Sequence, residues 1–173
     1  MGRITEKTGI VDGAMHVFTY SYSTAGYLID VTRDGVSVGH YEYDSNGNRL
    51  SYEGQLGSQT GMYDDQDRML SYGGATYTYT ENGELLTKTD ASGTTQYVYD
   101  VLGNLRSVTL PDGKLIEYVI DGRNRRIGKK VNGVMVKGWI YEDQLRPAAE
   151  LDGMGNITAR YVYGTKISVP LRG

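Results

Sequence analysis

The feature that most narrows what this chain can fold into is an aromatic pair, Tyr-x-Tyr, that returns about every 20 residues. It stands as Tyr20/Tyr22, Tyr41/Tyr43, Tyr77/Tyr79, Tyr97/Tyr99 and Tyr161/Tyr163, with degenerate copies at Tyr63, Tyr118/Ile120 and Trp139/Tyr141. Counted on the second position of each copy, the steps are 21, 20, 16, 20, 21, 21 and 22 residues. Thirteen of the 16 tyrosines fall in this pattern, so the chain is read first as a repeat array.

Each unit continues with turn chemistry. An acid follows the second aromatic directly in Asp44, Asp64, Asp100, Asp121 and Glu142, and a glycine follows four places after it in Gly26, Gly47, Gly83 and Gly103. An Asp side chain can accept from backbone N–H groups two or three residues on, and Gly supplies the positive φ that closes a short loop. A strand therefore ends at the acid and another begins after the glycine. Seven places beyond the second aromatic comes an apolar residue, Ile29, Leu50, Leu70, Leu86 or Ile127, with Arg106 the exception. Further turn signals at Asp34-Gly35, Gly73-Gly74, Ser92-Gly93, Asp112-Gly113, Asn132-Gly133 and Asp152-Gly153 reverse the chain before the next pair.

Two strands and two turns per unit make the expected fold all-β: about eight tandem antiparallel β-hairpins forming one long twisted or curled sheet. Side chains alternate along a strand, so both aromatics of a pair share one face and stacked units build a tyrosine ladder. The array is expected over residues 18–164, with 1–17 a partial repeat or cap and 165–173 a C-terminal tail or final strand. Arg146 to Leu151, the best helical candidate, is short and contains Pro147, so it is read as strand or loop.

The unit Tyr-x-Tyr-Asp-x-x-Gly-Asn, as in Tyr41–Asn48 and Tyr97–Asn104, resembles the YD repeats of the Rhs and teneurin family. Residues 139–152 leading to Arg160–Gly164 look like the last repeats before that family's core-terminating region, so the resemblance implies a C-terminal portion of the repeat shell. Its repeat-defining positions here are Tyr20, Tyr22, Tyr41, Tyr43, Asp44, Gly47, Tyr77, Tyr79, Gly83, Tyr97, Tyr99, Asp100, Gly103, Trp139, Tyr141, Tyr161 and Tyr163. The resemblance implies a hollow β-shell that encloses or presents a C-terminal toxin or other cargo, or else a surface adhesion module binding glycan or protein through exposed tyrosines. It implies a secreted or cell-surface location as part of a larger protein, and partners in neighbouring repeats, self-association, an enclosed polypeptide or a glycan. Known shells use many more repeats than this chain holds, and the family's self-cleaving chemistry transfers to no residue of this sequence.

Composition bears mainly on what is excluded. The formal charge is −3, with 18 basic and 21 acidic residues well mixed, which argues against a nucleic-acid or anionic-membrane partner. There is no cysteine, hence no disulfide and no thiolate site. The first residues lack the apolar stretch of a signal peptide, and no run approaches the roughly 18 apolar residues of a membrane span, so membrane insertion is not expected.

Three clusters invite chemistry. Asp44-Ser45-Asn46-Gly47-Asn48 and Asp64-Asp65-Gln66-Asp67 concentrate oxygen ligands but lack the spacing of a calcium loop, and turn capping explains the acid where it recurs. Arg123 to Lys130, beside Tyr118, reads as a solvated hairpin rather than a phosphate track. His16 and His40 have no motif company that points to catalysis, and Trp139 is expected in the aromatic ladder, with sugar stacking as its alternative. No catalytic, cofactor or metal residue is assigned, and the chain is read as a non-enzyme.

Overall fold

The computed structural model describes residues 2–55, 57–163 and 170–172. All regular structure among them is β, in seventeen strands. Two compact units divide at Tyr77/Thr78. The first holds β1 (Glu6–Val11), β2 (Ala14–Tyr22), β3 (Leu28–Arg33), β4 (Val36–Tyr43), β5 (Arg49–Gly54), β6 (Gly57–Tyr63) and β7 (Met69–Tyr72). Strand β8 (Ala75–Tyr79) contains the boundary. The second unit holds β9 (Leu85–Asp90), β10 (Gly93–Tyr99), β11 (Leu105–Thr109), β12 (Leu115–Ile120), β13 (Arg126–Val131), β14 (Val134–Tyr141), β15 (Pro147–Asp152), β16 (Ile157–Tyr163) and β17 (Pro170–Arg172). The tail expected at 165–173 lies outside the described residues except for β17.

Within each unit every strand pairs antiparallel with its neighbours in sequence. Among the described residues, strand backbones adjoin only those sequence neighbours, as in a sheet with no second layer packed on it. The consequence shows in burial. Among the described residues only Ala75, Val108 and Ala149 are buried apolar side chains, while Met62, Val98, Ile140 and Val162 stand 64, 54, 49 and 66 % exposed. The Pro147 segment is strand β15, as the sequence suggests, with Pro147 at its first residue where a missing N–H is tolerated.

The apolar residue seven places after the second aromatic has a structural meaning that its recurrence alone does not reveal. Tyr43 pairs with Arg49 while Glu42 pairs with Ser51, so Leu50 is an extra, unpaired residue. The same slip leaves out Ile29 opposite Tyr22, Leu70 opposite Tyr63, Arg106 opposite Tyr99, Ile127 opposite Ile120 and Ala148 opposite Tyr141. Each is a β-bulge, which bends the strand and increases its local right-handed twist. The bulge explains why Arg106 and Ala148 serve as well as leucine: what recurs is the extra residue.

The turns are of two kinds. Asp12-Gly13, Asp34-Gly35, Gly73-Gly74 and Asn132-Gly133 place two successive residues at positive φ, the geometry of a two-residue hairpin. The other expected pairs depart from it. Asp112-Gly113 sits inside a wider turn in which the Leu110 amide donates to the Lys114 carbonyl, because Pro111 fixes a negative φ at the second position. Around Asp152-Gly153 the chain instead closes from Asp152 to Asn156, with Gly155 rather than Gly153 at positive φ. Asp90 and Gly93 pair across Ala91-Ser92, with Gly93 at φ 116.

Candidate functional site

The repeat positions converge on one kind of place, the end of a strand and the turn that follows. Tyr20/Tyr22, Tyr41/Tyr43, Tyr77/Tyr79, Tyr97/Tyr99, Trp139/Tyr141 and Tyr161/Tyr163 are the closing pairs of β2, β4, β8, β10, β14 and β16. Asp44, Gly47, Gly83, Asp100 and Gly103 lie in the turns that follow.

At the best copy the Asp44 amide donates to the Asn48 carbonyl, and Asp44 Oδ1 accepts from the amides of Asn46 and Asn48, both at 2.9 Å. The carboxylate therefore caps the N–H groups two and four residues on, rather than two or three. Asp64, Asp100, Asp121 and Asp152 do the same. In the turn after Tyr141 the work passes to Asp143, which accepts from Leu145 and Arg146, and Glu142 does not cap. A glutamate carries one methylene more, and the shorter neighbour is placed to reach those amides. Because capping favours the charged form, these acids titrate low. The Asn48 side chain is the main cause for Asp44. Amide donors from Leu145 and Arg146 hold Asp143 at about 2. Carboxylate lone pairs occupied in this way are not free for a calcium ion.

Successive turns are stitched to one another. Asp67 and Asn124 stand where other copies have glycine, at φ 60 and 64. Asp67 Oδ1 accepts from Asn46 Nδ2 at 2.8 Å and from Asn48 Nδ2 at 2.6 Å. Asn124 Oδ1 accepts likewise from Asn104 Nδ2. Arg125 donates to the Asp143 carbonyl and Gln144 to the Arg123 carbonyl, tying the next two turns together. The left-handed strain at Asp67 and Asn124 is thus offset by bonds that glycine cannot make.

The tyrosine face holds itself together differently from a Tyr–Tyr ladder. Among the described residues Tyr27 meets Tyr43 at 5.1 Å and Tyr41 meets Tyr52 at 5.3 Å between ring centroids. Elsewhere a cation covers the ring. Arg49 lies over Tyr41 and Tyr72, Arg125 over Tyr141, Arg126 over Tyr118 at 3.9 Å, Lys137 over Trp139 and Arg146 over Tyr163. This places Arg125 and Arg126, the heart of the basic cluster, in packing. The second aromatic also bonds backwards: Tyr22, Tyr63, Tyr141 and Tyr163 donate their hydroxyls to the carbonyls of Ile4, Arg49, Arg126 and Pro147. Three of those acceptors open the strand that partners the tyrosine's own.

The histidines bond acids of β3 and of the turn that follows it. His16 Nδ1 lies 2.6 Å from Asp34, and His40 Nδ1 lies 2.6 Å from Asp30. His40 also stands directly opposite Glu53. The Asp30 bond, with the nearby Glu42 and Glu53 charges, raises the His40 pKa. Neither ring adjoins a nucleophile in these contacts.

These contacts define a tandem-hairpin sheet whose repeat residues are spent on strand ends and turn-to-turn bonds. The chain matches the Teneurin YD-shell family model over residues 1–171, and it belongs to that family as a structural shell component. It is 26 % identical over 149 residues to the tRNA nuclease WapA of Bacillus subtilis (strain 168). It is equally similar to the tRNA3(Ser)-specific nuclease WapA of Bacillus spizizenii. Each match covers 83 % of this chain but 6 % of the relative's length. Among solved structures, a TcdB2-TccC3-Cdc42 chain is 13 % identical, with a TM-score of 0.42, covering 98 % of this chain and 13 % of that one. The Photorhabdus luminescens Tc holotoxin pore gives 14 % identity and a TM-score of 0.39, covering 95 % and 13 %.

Proposed function

We propose that this chain is a wall segment of a YD shell and that its aliphatic face meets an enclosed polypeptide. The observation that carries the reading is the contrast between the two faces of the second unit. On the tyrosine face, Arg125, Arg126, Lys137 and Arg146 roof the rings. The opposite face carries the middle residues of the aromatic pairs, and Val98, Ile140 and Val162 stand bare on it. Bare aliphatic surface on a sheet with no second layer marks a place of contact.

In this reading residues 18–164 are the repeating wall, residues 1–17 a partial repeat or cap, and the neighbouring repeats of a longer protein its lateral partners. The protein is then a non-catalytic part of a secreted or surface assembly. The name nuclease belongs to the two relatives, of whose length the shared stretch covers 6 %. Calorimetric titration of the full chain with a reduced, carboxymethylated globular protein tests the proposal. Binding that is lost on replacing Val98, Ile140 and Val162 with serine supports it; no binding, or binding indifferent to those changes, overturns it.

A further inference from the structure

Two of the ring-covering cations follow a rule of position. Arg125 and Arg146 stand five places after the second aromatic of their own repeats, Ile120 and Tyr141, and each lies over the second aromatic of the next, Tyr141 and Tyr163. Each also donates to an acid of its own turn, Asp121 or Asp143. One repeat of the second unit reverses the sign. Five places after Tyr79 comes Glu84, and the second aromatic of the next repeat is Tyr99.

The turn is rebuilt around that change. In the turns of Asp44, Asp64, Asp100 and Asp121 the acid accepts from the side chain at this fifth place. Here Thr80 stands in place of the acid, and its hydroxyl donates to the Glu84 carboxylate while accepting from the Glu84 amide at 3.1 Å. Glu84 is half-buried and has no ion-pair partner among the described residues.

Beside it lies a cavity of about 290 Å³ lined by Thr80, Glu84, Leu86, Tyr97, Tyr99 and Asp100. No cation covers Tyr97 or Tyr99 among the described residues. The position that holds Arg49 and Arg126 in other repeats is Leu105 in this one. Asp100 is engaged, capping its own turn and facing Arg106 at 3.5 Å, so the charge that acts on the cavity is that of Glu84. Burial, then Tyr97 and Glu84, push the Tyr99 phenol up, which keeps it neutral. The site combines two aromatic rings with one carboxylate.

We propose that this cavity binds a small organic cation of the alkylguanidinium class, seated against Tyr99 as Arg125 and Arg146 are seated against their rings. Aromatic faces and a carboxylate both attract positive charge, and Leu86 suits an aliphatic stem. A planar guanidinium can lie on Tyr99 and bond Glu84, as Arg125 does with Tyr141 and Asp121. A metal ion is the poorer occupant. It needs several oxygen ligands, and among the described residues no three His, Asp or Glu side chains gather to hold one.

The test is titration of the full chain with ethylguanidinium, followed by amide chemical shifts. Saturable shifts centred on Glu84, Tyr97 and Tyr99 are expected, with a dissociation constant of about 1–10 mM for so small an ion. The neutral isostere ethylurea should give none. Glu84→Gln, whose amide oxygen can still accept from Thr80, is expected to weaken binding about two- to fivefold, the scale of one exposed charge contact. Thr80→Asp combined with Glu84→Arg rebuilds the arrangement of Asp121 and Arg125, supplies the cation from the chain itself and should abolish binding. Shifts that fail to saturate, that appear equally with ethylurea or that spread equally to Tyr141 and Tyr163 overturn the proposal. Undiminished binding by either variant does so too.

Discussion

Replacing Asp67 sets two opposed effects against each other, and their sizes decide the sign. The residue sits at φ 60, where an L side chain costs roughly 1 kcal/mol relative to glycine. It also accepts from Asn46 and Asn48 of the preceding turn, two exposed bonds each contributing about 1 kcal/mol. Asp67→Gly sheds the strain and both bonds and should lose about 1 kcal/mol net. Asp67→Ala keeps the strain, loses both bonds and should lose about 2 kcal/mol. Urea denaturation reads these losses directly: with a slope near 2 kcal/mol/M, the midpoint falls by about 0.5 M for glycine and about 1 M for alanine. Asn48→Ala should also cost less in the Asp67→Gly background than in the parent, since the shared bond is already gone. A glycine variant as stable as the parent, or an alanine variant equal to the glycine one, would refute the stitching argument.

Three further outcomes follow from particular contacts. Tyr63→Phe removes the hydroxyl that donates to the Arg49 carbonyl and should cost about 1 kcal/mol, whereas Tyr72→Phe, whose buried hydroxyl has no bonding partner, should cost less; chemical denaturation separates them. Gly153→Ala would put a Cβ 2.1 Å from the Met135 carbonyl oxygen, so β14 or the turn must move, and a loss of about 2 kcal/mol with a lower melting temperature is expected. His40 has its pKa raised by Asp30, so its contribution to stability is complete below the unfolded value of about 6.5 and fades as pH rises through the higher folded value. The first unit should therefore have a higher urea midpoint at pH 5.5 than at pH 8.5 relative to a His40→Gln variant, and an equal difference at both values would contradict the Asp30 contact.

The strand-and-turn plan was legible because it rests on local chemistry. The aromatic pair marks the strand end, and Asp44 and Gly47 mark the turn by what their side chains can or cannot do. The bulge was not legible, because Ile29, Leu50 and Arg106 share no side-chain property, only a position relative to a partner strand. The stitching was half visible: Asp67 and Asn124 break the glycine pattern, and Asn and Asp are the residues that best tolerate positive φ, but their acceptor role needs the preceding turn in place. A tyrosine ladder was the natural reading of the spacing alone. The cations that cover the rings, such as Arg49 and Arg126, come from the strand after the turn, and a cross-strand partner cannot be read from spacing within one strand.

Paired photo-crosslinking asks most directly whether the aliphatic face, rather than the tyrosine face, meets polypeptide. A photoreactive amino acid placed at Val98 or at Tyr97 puts the same probe on opposite faces of β10, one residue apart. With the reduced, carboxymethylated protein present, strong crosslinking is expected from position 98 and little from position 97. Equal yields, or a yield confined to position 97, would contradict it.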